Sequence, residues 1–337
     1  GAVTGIVEEK DATTEQRTVT EVNSGIYAFD ATVLRTSLAQ VSTDNAQGEK
    51  YLTDVLAISR SHGGHVAAHV IDDVWQTEGV NDRVQLAALA RVLNRRICEG
   101  HMRAGVTIVD PETTWIDTDV TIGQDAVIRP GTQLLGATTI ADEAEVGPEV
   151  TLTDTEVGRG ATIRRAEALL AVVGERAIVG PYSYLRPGTV LAAKAKVGGF
   201  VETKNAEIGE GAKVPHLTYC GDATIGAGAN IGAGTIFANY DGVAKHHSTV
   251  GRHSFVGSNT VLVAPVEIAD GAYVAAGSTL TGDVQAGQIA VARGKQRNVD
   301  GWVARARAGT KTAEAAEHAG ETPAQPTSTE TGEGAAQ

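Results

Sequence analysis

The sequence predicts a mainly β protein, a parallel β-helix that follows an α/β segment and one long helix. Three observations carry that expectation. Aliphatic residues recur every six positions over most of the stretch from Ile116 to Leu280. Glycine is abundant, with 40 of 337 residues, while aromatic residues make up only 4%. Between residues 81 and 105 the apolar spacing is three and four instead of six, which is helical.

Residues 1–80 read as mixed α/β. YLTDVLAISR has the pattern of an amphipathic helix and HVAAHVID that of a strand. Residues 81–105 form the next unit, a linker helix. Asn81-Asp82 supplies an N-cap, and Val84, Leu89, Val92, Leu93 and Ile97 recur at helical spacing, which leaves RVLNRR on the wet face.

Residues 106–303 carry the repeat. Its aliphatic positions include Ile116, Ile122, Ile128, Leu134, Ile140, Val146 and Leu152, and later Ile225, Ile231 and Phe237. A period of six is neither helical nor that of a simple strand. It fits a short strand plus a corner, three of which close a triangular coil of ~18 residues, with coils stacked at ~4.8 Å. The aliphatic residue points inward, and a small residue two positions earlier, such as Ala126, Thr132, Ala144 or Ala161, fills the narrow interior. Gly beside the aliphatic residue is read as serving the corner, where a positive φ costs Gly least. This pattern resembles the hexapeptide-repeat left-handed parallel β-helix. Two features depart from it. The stretch Leu152 to Leu170 is irregular and carries no functional reading. Phe237 to Val250 exceeds two repeat lengths, and ANYDGVAKHHST reads as a loop thrown out of the prism.

After Val303 no large apolar residue occurs, so residues 304–337 are expected to form a disordered tail. The formal net charge is −13, and five Glu fall after Lys311. That balance argues against a nucleic-acid-coating protein. No run of about 18 apolar residues predicts a membrane span. The first residues lack signal-peptide architecture, and only Cys98 and Cys220 are present, so a cytoplasmic location is expected.

Candidate chemistry concentrates late in the repeat. Arg186, Lys194, Lys196 and Lys204 face Glu202 alone among acids over Arg186 to Lys204. Lys204 follows Arg186 by the length of one nominal coil, which puts both on the same face, and such a pair favours a bound dianion such as a sugar phosphate. His216 lies near them with Tyr219 and Glu202, and an imidazole oriented by a carboxylate suits a general base. Asn230, Asn239 and Tyr240 offer neutral hydrogen bonds. Lys245 adds a further phosphate partner. Arg293 and Lys295 follow the last coil, placed for a nucleotide phosphate or simply exposed.

At these residues a family resemblance emerges. LRPG (185–188), FVETKNAEIG (200–209), PHLTY (215–219), NIGAGTI (230–236), NYDG (239–242), VGS (256–258) and LVAPV (262–266) resemble the acetyltransferase domain of the bacterial N-acetylglucosamine-1-phosphate uridyltransferase / glucosamine-1-phosphate N-acetyltransferase family. GIVEEKDAT (5–13), EVNSGIYAFD (21–30), AQGEKYLTDVL (46–56) and EGVNDR (78–83) resemble the later part of its α/β nucleotidyltransferase domain.

The resemblance implies roles. His216 corresponds to the base that takes a proton from the glucosamine amine, Glu202 to its orienting partner, and the Ala233 N–H to an oxyanion donor. Arg186, Lys204, Tyr219 and Asn230 correspond to sugar-phosphate ligands, with Lys245 near that phosphate. Asn239, Tyr240, Ser258, Ala276 and Arg293 correspond to contacts with acetyl-CoA, the co-substrate. The resemblance also implies a homotrimer with sites between subunits, and a role in supplying UDP-N-acetylglucosamine to cell-envelope synthesis. Glu8, Asn23 and Asn81 match uridine-sugar contacts, and Asn81 matches the ligand of the Mg2+ that the uridyltransferase activity uses. The family's Gly-rich LxxGxGTRM-type loop and its metal-binding Asp do not occur here, so the chain is expected to start inside that domain and to lack uridyl transfer. Two other readings of the same residues are a γ-carbonic-anhydrase-like zinc hydratase, using His246, His247 and His253, and a non-catalytic sugar-binding scaffold.

Overall fold

The computed structural model describes residues 3–321. Two short helices, α1 (Ala31–Leu38) and α2 (Asp54–Ser61), pack on each other in the first 80 residues and bury Ser37, Val55 and Ser59. Asp30 caps α1 by accepting from the backbone N–H of Thr32 and Val33. The strand expected from HVAAHVID does not form. Residues 65–71 form no regular secondary structure, and Val70 is 67% exposed. A strand exists through its neighbours, and among the described residues nothing pairs with this segment.

Helix α3 (Arg83–Arg103) starts where the sequence predicts. The Asp82 side chain accepts from Gln85 N–H, and the Gln85 side chain accepts in return from Asn81 N–H. Its packing differs from the expectation. Val84 and Leu93 stay exposed, while Asn94, inside the supposedly wet RVLNRR, is buried. The Asn94 amide donates to Thr114 O at 2.8 Å and accepts from Ile116 N–H at 3.0 Å. It therefore completes the hydrogen bonding of the strand Trp115–Ile116 as a further coil would. Cys98 and the half-buried Ile97 and Met102 close over the apolar core beneath.

From Thr107 the chain winds into the hexapeptide-repeat parallel β-helix. Short strands, mostly of two to four residues, stack in parallel on three faces. Face one runs from Thr107–Ile108 through Lys196–Gly199, Lys213–His216 and Asn230–Ile231 to Ile289–Ala290. Face two runs from Trp115–Ile116 through Ser183–Leu185 and Ile236–Ala238 to Thr279–Leu280, and face three from Thr121–Ile122 through Val190–Leu191 to Val266–Ile268. The longer strands Glu202–Ile208 and Tyr219–Ile225 bend round the edge between faces two and three.

The inward positions are those read from the repeat. Ile128, Leu134, Leu152, Ile225, Ile231 and Phe237 are fully buried, as are Ala126, Thr132 and Ala144. At Thr132 and Thr235 the inward hydroxyl donates to a corner carbonyl earlier in the chain, Arg129 O and Gly232 O respectively, both at 2.7 Å, so neither polar group is stranded. Cys220 shares this core, and burial pushes its thiol up to about 12.

The irregular stretch has a geometric account. In the regular coils Trp115 pairs with Gln133 and Gln133 with Thr151, a full coil apart each time. Thr151 pairs with Glu167, which falls short of a full coil. The shortening is taken up at the corners, so Leu152, Val157, Ile163, Ala168 and Val173 all remain inward.

One expectation about glycine is corrected. The Gly that follows the aliphatic residue mostly does not hold a positive φ. At Gly209 a Cβ would lie 2.6 Å from Ala227 N and 2.8 Å from Ile225 O. Gly is needed there because the next coil's backbone passes too close. The left-handed residue comes later in the corner, as at Gly211 with φ 65°.

The expected disordered tail is also corrected in part. Helix α4 covers Trp302–Ala306 and α5 covers Lys311–Glu321, with Ala313 buried. The alanine-rich sequence supplies helix propensity without large apolar side chains. The rest of that segment, 322–337, lies outside the described residues.

Gly209→Ala is expected to destabilise the prism by about 1–3 kcal/mol, because the clashing atoms are backbone with no rotamer to yield. The shift of the unfolding midpoint in denaturant measures it, and an unchanged midpoint contradicts the close-approach account.

Candidate functional site

Most of the acetyl-transfer candidates fall on two edges of face two. The first cluster lies where face two meets face three. Leu185 pairs with Thr203, so Lys204 stands one coil on from Arg186, and Lys204 pairs in turn with Gly221. The stacked register thus brings two cations together, as their spacing in the sequence predicts. The inserted loop adds Lys245. Its ammonium is held below the usual lysine range, first by the neighbouring Lys204 and then by desolvation, with Arg186 adding to the effect and Asp222 opposing it.

Two carboxylates sit among these cations. Glu202 binds Arg186 at 2.8 Å. Asp222, only 9% exposed, accepts from Asn205 Nδ2 at 2.8 Å and from Asn239 Nδ2, with Lys204 Nζ at 3.8 Å. Burial raises its pKa, but the two amides and the ammoniums of Lys204 and Lys245 outweigh this and keep the carboxyl below its ordinary value. Three cations against two anions leave the cluster net positive.

The loop itself is an ordered hairpin. The coil lengthens abruptly where it is inserted: Tyr219 still pairs with Ile236, but Ala223, a little further along the same strand, pairs with Ser248 beyond the loop. Asn239 is buried at its root, and Tyr240 bridges antiparallel to Lys245. Asp241 ties the tip by accepting from Ala244 N–H, His246 Nε2 and Val243 N–H at 2.7–2.8 Å, and these bonds hold its carboxyl far below the usual range.

The second cluster runs along the edge between faces one and two. Its members occupy successive coils. Gly234 N–H donates to His216 O, Asn259 N–H to Ala233 O, and Gly277 N–H to Ser258 O, while the Arg293 guanidinium reaches Ala276 O at 2.9 Å. His216, Ala233, Ser258, Ala276 and Arg293 therefore form one column. The His216 imidazole is exposed at the end of its strand.

Some expected partnerships are not formed within one chain. Glu202 pairs with Arg186 instead of orienting His216, because it opens a strand on face two while His216 ends a strand on face one. The two clusters are separated by the width of face two, on the order of 10–15 Å. Asn230 stands on face one, paired with Lys213 and Phe255 and away from the cations. Tyr219 lies on face two between Glu202 and Ile236, with its hydroxyl 3.5 Å from Asn239 Nδ2.

The remaining candidates stand apart. Glu8 takes a 3.5 Å bond from Thr53, Asn23 donates to Tyr27, and Asn81 donates its backbone N–H to the Gln85 side chain. The three histidines of the zinc reading have separate surroundings, His246 on Asp241, His247 on Thr224 and His253 against Gly228. Among the described residues no three His, Cys, Asp or Glu side chains are grouped to hold a metal ion, and no helix is long and apolar enough to cross a membrane.

Asp222 and Asn205 were not singled out from the sequence, although a signal exists. Thr203 to Ile208 and Cys220 to Ile225 are steps of five within a repeat of six. Each shortened corner holds a left-handed residue, Asn205 at φ 44° and Asp222 at φ 48°.

The bacterial transferase hexapeptide (six repeats) family matches residues 247–282. The bifunctional protein GlmU of Mycolicibacterium vanbaalenii is 60% identical over 93% of this chain and 64% of its own length. That of Corynebacterium jeikeium is 58% identical over 98% of this chain and 68% of its own. The chain thus spans about two thirds of the length of these relatives. Among solved structures, LpxA, a UDP-N-acetylglucosamine acyltransferase from Bacteroides fragilis, aligns with 64% of this chain and 91% of its own at 14% identity and a TM-score of 0.39. Identity of the depth shared with the two curated relatives, running through N-terminal segment, helix and prism alike, makes this chain a member of the bifunctional GlmU family.

Proposed function

We propose that the chain transfers an acetyl group from acetyl-CoA to the amine of glucosamine-1-phosphate, giving N-acetylglucosamine-1-phosphate and CoA for UDP-N-acetylglucosamine synthesis in the cytoplasm. The observation that carries this reading is the gathering of Arg186, Lys204 and Lys245 at one edge of face two, net positive and suited to a phosphate dianion. Family membership supports the identity of the substrates.

The chemistry follows from the residues. The sugar amine must be neutral to attack the thioester carbonyl. As the C–N bond forms, the nitrogen becomes acidic and His216 takes its proton. The carbonyl oxygen gains charge, for which the Ala233 N–H is the proposed donor. The C–S bond then breaks, CoA leaves as the thiolate, and the proton held by His216 returns to it. Ser258, Ala276 and Arg293, on successive coils beyond Ala233, give an extended track for CoA, with Asn239 and Tyr240 as further contacts. Tyr219 and Asn230 are proposed to hold the sugar.

Assembly follows from the separation of the clusters. In a homotrimer the His216 column of one protomer would meet the Arg186–Lys204–Lys245 edge of its neighbour. An intersubunit groove would also exclude water, strengthening charge pairing over that on an open face.

Uridyl transfer is proposed to be beyond this chain alone. Residues 3–80 form no strand, and the side chains of Glu8, Asn23 and Asn81 do not converge through any hydrogen bond. Mg2+, which that activity uses in the family, would find only Asn81 among the expected ligands.

Three outcomes are expected. His216→Ala lowers acetyl transfer, read as CoA thiol release, by ~10²-fold or more while glucosamine-1-phosphate binding is largely kept; near-normal turnover at neutral pH removes the base assignment. Mixed trimers refolded from His216→Ala and Asn239→Ala/Tyr240→Ala chains regain part of the activity. No recovery in demonstrated mixed trimers, or full activity in a monomer, rejects the shared site. Purified chain with UTP, N-acetylglucosamine-1-phosphate and Mg2+ releases no pyrophosphate, and robust release would contradict the assignment for residues 1–80.

A further inference from the structure

We infer that Asp222 is a positioning residue that couples the two substrate sites, its carboxylate holding the Lys204 ammonium with one oxygen and the root of the 239–247 loop, through Asn239, with the other. The inference rests on the acetyltransferase reading and assigns a role within it to a residue that reading does not use.

A left-handed aspartate at a shortened corner has a simpler explanation, because Asp tolerates that conformation and can tie down the neighbouring backbone. Asp154 is such a residue. It lies in the same row of corners, at φ 46°, and accepts from Ala137 N–H at 2.9 Å. Asp222 differs in its donors, which are all side chains. Asn205 and Lys204 approach Oδ1, and Asn239 donates to Oδ2. Backbone tethering explains Asp154 and leaves these contacts unaccounted for.

The surroundings hold the carboxylate in place. A Cβ at Gly221 beside it would press on the Tyr219 phenol and lie 2.9 Å from Asn239 Nδ2, so a side chain there would displace both. Asn239 N–H donates to Phe237 O, and Asn239 O accepts from His246 N–H at 2.8 Å, so the residue Asp222 grips is also the one that closes the hairpin. Without the charge, the repulsion between Lys204 and Lys245 would lose the carboxylate that offsets it. Both the phosphate edge and the loop therefore depend on one buried carboxylate whose partners are all donors. An Asn in its place would turn an amide donor against one of them.

The test compares Asp222→Asn with Asp154→Asn in the full chain, assayed for CoA release from acetyl-CoA and glucosamine-1-phosphate. Asp222→Asn is expected to raise KM for both substrates about tenfold while kcat stays within about threefold, since His216 lies at the other edge. Asp154→Asn leaves both KM values unchanged. Trypsin cleavage after Lys245 under native conditions should accelerate about tenfold in Asp222→Asn only. KM values within about twofold of the parent, or a fall in kcat with unchanged KM, overturn the inference. If Asp222→Asn does not fold, Asn205→Gly removes one donor at a φ that Gly accepts. It should raise both KM values about threefold, and no rise counts against the proposal. A parent chain that releases no CoA defeats the functional reading instead. The trypsin comparison still decides whether Asp222 anchors the loop.

Discussion

Every feature of this molecule depends on closing a coil. Three short strands per turn can hydrogen-bond to the turns on either side only if each corner returns the backbone to register, and most corners do so through a residue in the left-handed region. That requirement is met most cheaply by Gly, Asn and Asp, though Leu170, Tyr182 and Phe200 meet it as well. It also makes the outer surface a lattice, in which a residue at a given corner has its counterpart one coil away. The core is correspondingly simple, a stack of Ile, Leu and Val with Ala or Thr between, and Phe237 as its largest buried side chain.

The candidate site uses that lattice twice. On one edge, shortened corners hold Asn205 and Asp222 in the left-handed region, and the Asp222 carboxylate gathers the side-chain amides of Asn205 and Asn239. On the other, His216 and Ser258 occupy ordinary corners whose backbone hydrogen bonds align them along the prism axis. The rigid strands between prevent the two edges from approaching each other. The parts of the site are thus mutually distant within one chain, which is the geometry behind the proposed intersubunit site.

Much of this could be read from residue spacing. Period six identified the inward stack, and the gap between Phe237 and Val250 located the loop. The one-coil interval between Arg186 and Lys204 anticipated their adjacency. What spacing could not convey was direction across a corner. Glu202 and His216 are close in coil count, yet one stands at the start of a strand on face two and the other at the end of a strand on face one. Asn94 lay in a charged run and read as solvated, because a side-chain amide that stands in for a strand has no sequence period. HVAAHVID alternates like a strand, but pairing is a property of neighbours. The alanine-rich segment after Val303 lacked the apolar residues that mark a core, and its helices arise from propensity instead.

A stack of parallel strands ends in unsatisfied backbone groups, and such an end is a template on which another chain can polymerise. On face two of the first coil that template is blunted by a single side chain. Asn94, presented by α3, meets the carbonyl of Thr114 and the N–H of Ile116, so the docking register available to an incoming strand is already taken. The linker helix thereby acts as a terminator for the prism. The cost of losing the Asn94 amide would fall on solubility as well as on folding, because the blunt end would become adhesive.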